Sequence, residues 1–68
     1  MNEKIEKALF EARPYVEYFE ELKAKIEEIS SKASNDKEFK TLVEKEITLA
    51  KEPFKTDLRI FLQKFEVL

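Results

Sequence analysis

At 68 residues the chain has room for one small domain, and a chain this short buries only about 60% of the surface it exposes when unfolded. It has no cysteine and no histidine, which excludes disulfide stapling and removes the softer donors of a metal site. Thirteen basic against fifteen acidic side chains leave a net charge of −2, which argues against nonspecific nucleic-acid binding by bulk charge but not against a local basic ridge.

Charged residues make up 41% and apolar residues 43%, so the chain is highly charged yet apolar enough to fold. Glycine is absent, which disfavours a turn-rich β topology. The longest purely apolar run is Ile60-Phe61-Leu62, far short of the ~20 residues of a membrane span. The opening MNEKIEK is charged at once and is no secretory leader, so the expected location is cytoplasmic.

In chain order, Asn2 is placed to cap a first helix, with Glu3 at its positive end. Ile5, Leu9, Ala12, Val16 and Phe19 follow at helical steps, so the apolar face runs through Pro14 in phase. The longest helical pattern is 14–33. Val16, Phe19, Leu22, Ile26, Ile29 and Ala33 lie along one side, with Glu17, Glu20, Glu21, Lys23, Lys25, Glu27 and Glu28 on the other. A proline inside a helix removes a hydrogen bond and crowds the preceding turn, so a kink or short break is expected at Pro14.

The strongest turn signal is Ser30 to Asp36, where short polar side chains compete for the backbone. Asn35 reads as the cap of the next helix, Glu38 completes a capping box, and Asp36 adds a favourable first-turn charge. A second stripe then runs Phe39, Val43, Ile47, Ala50, Phe54, Leu58, Phe61, Phe65 and Leu68. Its mean step is about 3.6 residues, the α-helical period. It too crosses a proline in phase, Pro53, and the surrounding LAKEPFKTD contains none of the usual loop residues.

These patterns predict an all-α protein with a single helical domain, 1–68. The expected form is an antiparallel hairpin of two long proline-kinked helices, approximately 2–33 and 36–66. The alternative is a three-helix bundle broken at Pro14 or Pro53. Leu42, Leu49, Ile60 and Val67 form a second apolar line too broad for one hairpin seam, and Tyr15, Leu22 and Ile29 widen the first half. A homodimeric four-helix bundle would cover that line, with Leu42, Leu49 and Ile60 in the interface. A folded-back third helix or a different protein would also cover it.

The chemistry expected is that of binding. Nucleophilic catalysis needs an activated nucleophile beside a base, and phosphate loops need glycine, so no enzymatic activity, cofactor or metal is expected. The adjacent pairs Glu20/Glu21 and Glu27/Glu28 read as a solvated face. Phe10, Pro14 and Tyr18 recur at steps of four on the side away from the core stripe, a pattern that marks a partner surface unless a kink at Pro14 turns Phe10 inward. Lys51, Lys55 and Arg59 form a basic ridge able to contact an anion. A hairpin turning near residue 35 would place Glu11 by Arg59, Arg13 by Asp57, and Glu17 and Glu20 by Lys51 and Lys55, neutralising the ridge. The expectation is therefore a helical protein-protein interaction module, such as a small inhibitor, regulator or assembly subunit, acting as a homodimer or on another protein. A small nucleic-acid-binding regulator using the basic ridge is the alternative.

Overall fold

A computed structural model of the chain describes residues 3–68, so the expected Asn2 cap lies outside the described residues. The described chain is all-helical: α1 (Glu3–Ala12), a 3-10 turn (Arg13–Tyr15), α2 (Phe19–Lys32), α3 (Asp36–Leu49) and α4 (Phe54–Glu66). The two long helices expected over 2–33 and 36–66 are each interrupted at their proline. A straight helix of 32 residues would be about 48 Å long, whereas the longest dimension of the molecule is 28 Å.

The physical reason differs little between the two interruptions. Pro14 has no N–H to give to the carbonyl four residues back, and its ring crowds that carbonyl. The chain tightens into the 3-10 turn and leaves it extended at Val16, with φ −103° and ψ 152°. At the other site Ala50 is extended, with φ −78° and ψ 154°, and Pro53 stands immediately before α4 after a cis peptide bond from Glu52.

The connection at 33–35 follows the polar turn signal. The Asn35 side chain accepts the Glu38 N–H at 2.8 Å. The Glu38 carboxylate reaches back one residue further than a standard capping box, accepting the Ser34 N–H at 2.6 Å.

Because both long patterns break, a single chain supplies four helices to one core. α4 packs against each of the other three, α1 lies mainly on α4, and α2 pairs with α3. The core joins Ile5, Ala8 and Leu9 of α1 with Leu22, Ile26 and Ile29 of α2, Phe39 and Val43 of α3, and Leu58, Phe61, Leu62 and Phe65 of α4. Its centre is aromatic. Phe39 meets Phe61 edge-on at 6.0 Å between ring centroids and Phe65 at 5.1 Å. Such contacts add about 0.5–1.5 kcal/mol each beyond area burial.

Lys4 tethers the start of α1 to this end of the bundle. Its Nζ lies 4.5 Å from the Phe65 ring centroid and 3.6 Å from the Asp36 carboxylate. Lys40 and Glu66 join α3 to the end of α4 at 2.9 Å, and the Glu66 hydrogen bond and charge raise the Lys40 pKa above its ordinary 10.5. The accessible surface is 4582 Å². Folded monomers of 8.1 kDa expose about 4,500 Å², so the chain alone reaches the compactness of an ordinary monomer.

Candidate functional site

The site grows out of the Pro14 elbow. Residues 16–18 join the 3-10 turn to α2 and leave backbone N–H groups that no helix satisfies. Asp57, on the first turn of α4, satisfies two of them: Oδ1 accepts the Glu17 N–H at 3.1 Å and Oδ2 accepts the Tyr18 N–H at 2.9 Å. Asp57 is only 3% exposed and is the one buried charged side chain among the described residues. A carboxylate there is tolerated because each of its oxygens accepts an N–H. It caps α2 from a different helix, since Tyr18 offers no side-chain cap of its own.

The expected pairing of Arg13 with Asp57 is thereby corrected. The carboxylate binds backbone, while the Arg13 guanidinium lies 5.3 Å from the Phe19 ring centroid. Among the described residues no ion pair joins Glu11 to Arg59, or Glu17 and Glu20 to Lys51 and Lys55. Between α2 and α3, Lys25 approaches Glu46 at 3.9 Å.

The clamped elbow displays aromatic surface. Phe10 is 75% exposed and Tyr15 is 64% exposed. With Glu11, Arg13, Pro14 and Lys64 they line an open groove of about 580 Å³. Lys64 reaches over from α4, its Nζ 4.7 Å from the Tyr15 ring centroid, a cation–π contact. The kink does not turn Phe10 into the core.

Tyr18 faces elsewhere. It lines a second groove, about 630 Å³, with Ala24, Lys25, Pro53 and Phe54 between α2 and the Pro53 elbow. The charges around this groove are largely engaged within the chain. Lys25 reaches Glu28 at 3.3 Å, and the Glu52 carboxylate accepts the Thr56 hydroxyl at 2.6 Å and the Thr56 N–H at 2.9 Å. The Thr56 hydroxyl is the main reason the Glu52 carboxyl is held below its ordinary 4.5; some loss of hydration opposes it, and the Thr56 N–H and the charges of Arg59 and Lys55 add to it.

That carboxylate changes the reading of the basic ridge. Lys51 lies before α4, while Lys55 and Arg59 lie on it, so the three do not form one row on a single helix. Glu52 adjoins Lys51 in the chain, and the charges of Arg59 and Lys55 help lower its pKa, so an acid lies close to these cations.

The second apolar line is also divided. Leu42 and Ile60 are half-buried, and Leu42 packs against the core, whereas Leu49 is 69% and Val67 75% exposed. The break at Pro53 puts Leu42 and Leu49 on α3, and Ile60 on α4 with Val67 just after it.

Among the described residues no three acidic side chains converge in a way that could hold a metal ion, and no helix is long and apolar enough to cross a membrane. The Pro14 elbow presents exposed rings, a backbone bonded to a buried carboxylate and charges of both signs at the rim. The sequence reading placed Asp57 in an ion pair with Arg13 and missed its backbone-binding role, although its spacing from Phe54, Leu58 and Phe61 places it on the buried side of α4. An acid on that face signals a backbone group to be satisfied.

No curated protein sequence matches the chain. The sequence model of the MJ1579 family matches residues 2–68, and the chain belongs to the MJ1579 family.

Proposed function

We propose that this chain is a non-enzymatic protein-protein interaction module whose docking face is the Phe10–Tyr15 groove. The observation that carries the reading is that these two large aromatic side chains stay 75% and 64% exposed beside a backbone elbow clamped by a buried carboxylate. Burying a Phe side chain contributes about 1.5–3 kcal/mol. A chain this small gains from every such residue it can place in its core, and one held outside favours a partner's surface. The fixed elbow also lowers the ordering cost of association.

An inhibitor, a regulator or a subunit of a larger assembly all use a face of this kind. Contact with nucleic acid through Lys51, Lys55 and Arg59 has less support, because Glu52 lies close to those cations. The test is site-specific photocrosslinking in the native cell. A photoreactive phenylalanine analogue at position 10 is expected to yield discrete polypeptide adducts, while the same analogue at exposed Lys37 on α3 yields none. The absence of adducts from position 10 would overturn the reading.

A further inference from the structure

We infer that the occupant of the Phe10–Tyr15 groove is the same groove of a second copy, giving an isologous two-fold dimer; this rests on the docking reading above. A two-fold interface must be self-complementary, because each residue pair across it occurs twice with roles exchanged. A patch with charges of one sign cannot meet that condition, since its own copy repels it. This groove carries both signs: Glu11 on one hand, Arg13 and Lys64 on the other. None of these three side chains is in an ion pair within the described chain. The cations instead lie over aromatic faces, Arg13 on Phe19 and Lys64 on Tyr15, at 5.3 and 4.7 Å from the ring centroids. Apposing two copies brings each Glu11 toward the cationic side of the other groove and covers Phe10 and Tyr15 together.

The other groove has more of its charge engaged within the chain. At the Tyr18–Phe54 groove, Lys25 is held by Glu28 and Glu46, and Glu52 by Thr56. Glu21 and Lys51 also line it and enter no ion pair among the described residues, so the difference between the grooves is one of degree: three of its five charged side chains are engaged within the chain.

The size of the patch sets the strength of the dimer. Aromatic side chains bury about 150–250 Å² each, so two mostly exposed rings supply on the order of 300 Å² per copy. With their rim they approach the lower end of interface sizes, total area below about 1,200 Å², where association is weak and transient. The dimer is therefore expected to depend on concentration. This differs from a bundle whose core is completed by the second chain, because the core here is already closed within one copy.

Sedimentation velocity from about 10 μM to 1 mM, at low salt, tests the inference on the full chain. The parent is expected to shift from monomer to dimer across that range. The Glu11→Lys variant carries only positive charge around the groove, and the Arg13→Glu/Lys64→Glu variant only negative. Each alone is expected to associate at least about tenfold more weakly, and a mixture of the two to recover the parent's association. The altered residues lie at the surface or half-buried, and circular dichroism verifies that each variant is folded. A parent that stays monomeric at 1 mM, or variants that associate as the parent does, would overturn the inference. The crosslinking result at position 10 separates it from the reading beneath it. An adduct of twice the chain mass supports the second copy. Adducts only with other polypeptides overturn it while leaving the docking reading standing, and no adducts overturn both.

Discussion

The two proline elbows solve one problem in different ways. At each, a helix stops and the next must begin without a conventional side-chain cap at its own first residue. The Pro53 elbow is satisfied locally: Glu52 accepts from Thr56, four residues away, at the exposed surface. The Pro14 elbow is satisfied from afar: the buried carboxylate of Asp57 accepts from Glu17 and Tyr18, 40 and 39 residues away, in part-buried bonds. A local cap holds a turn, while a long-range cap holds a turn in place relative to the rest of the fold. The aromatic groove is built beside the elbow that is held in this second way.

The largest difference between the elbows should appear on removing their acids. Asp57→Ala deletes two charge-assisted hydrogen bonds and leaves two N–H groups without their acceptor. It should lower stability by about 2–4 kcal/mol, with the melting temperature down by about 10–30 °C. Glu52→Gln, at the exposed elbow, should leave the midpoint close to the parent's. Equal losses in chemical denaturation would remove the distinction between the elbows.

The 33–35 connection, which has no proline, supplies an intermediate case. Asn35→Ala removes a conventional cap and should cost about 0.5–2 kcal/mol. A loss as large as that of Asp57→Ala would mean that local and long-range caps do not differ in the way proposed.

These three connections also show what could be read before folding. Asn35 was legible because its partner, Glu38, is three residues away and of the right type. The apolar stripes were legible for the same local reason: Ile5, Leu9, Leu22, Ile26, Phe39, Val43, Leu58, Phe61 and Phe65 are all buried as their periodicity requires. The breaks were not. Both halves of each stripe face one shared core, so the apolar phase persists across Pro14 and Pro53 whether the helix is continuous or interrupted. At Pro53 the flanking LAKEPFKTD gives no loop composition to resolve the ambiguity. The role of Asp57 depends on α4 folding back over the first elbow, and no local pattern encodes that contact. Of the candidate surface, Phe10 and Tyr15 were legible as aromatic positions, but their separation from Tyr18 follows from the 3-10 turn between them.

A smaller effect sharpens the comparison at low pH. The folded Glu52 carboxyl is held below its ordinary 4.5, chiefly by the Thr56 hydroxyl. Its contribution is therefore present above pH 4.5 and lost as pH falls through the lower folded value. A carboxyl-detected NMR titration should place the Glu52 midpoint below 4.5 in the parent and nearer that value in Thr56→Val. An unshifted midpoint in the parent would remove the local cap. The smallest effect lies at the far end of the bundle. Lys40 is raised above 10.5 by Glu66, so its contribution is present below that pH and lost as pH rises through the higher folded value. Glu66→Gln should remove a slight alkaline dependence of the melting temperature and leave neutral stability nearly unchanged.

The claim on which the groove rests is that Asp57 fixes the first elbow, and amide hydrogen exchange at Glu17 and Tyr18 tests it most directly. Both amides lie in a non-helical connection, where unprotected exchange is the ordinary expectation. With Asp57 accepting them, they should exchange at least about a hundredfold more slowly than the amides of Lys51 and Glu52 at the other elbow. That protection should disappear in Asp57→Ala measured under conditions where the variant remains folded. Fast exchange at Glu17 and Tyr18 in the parent, at the rate of Lys51 and Glu52, would contradict the account.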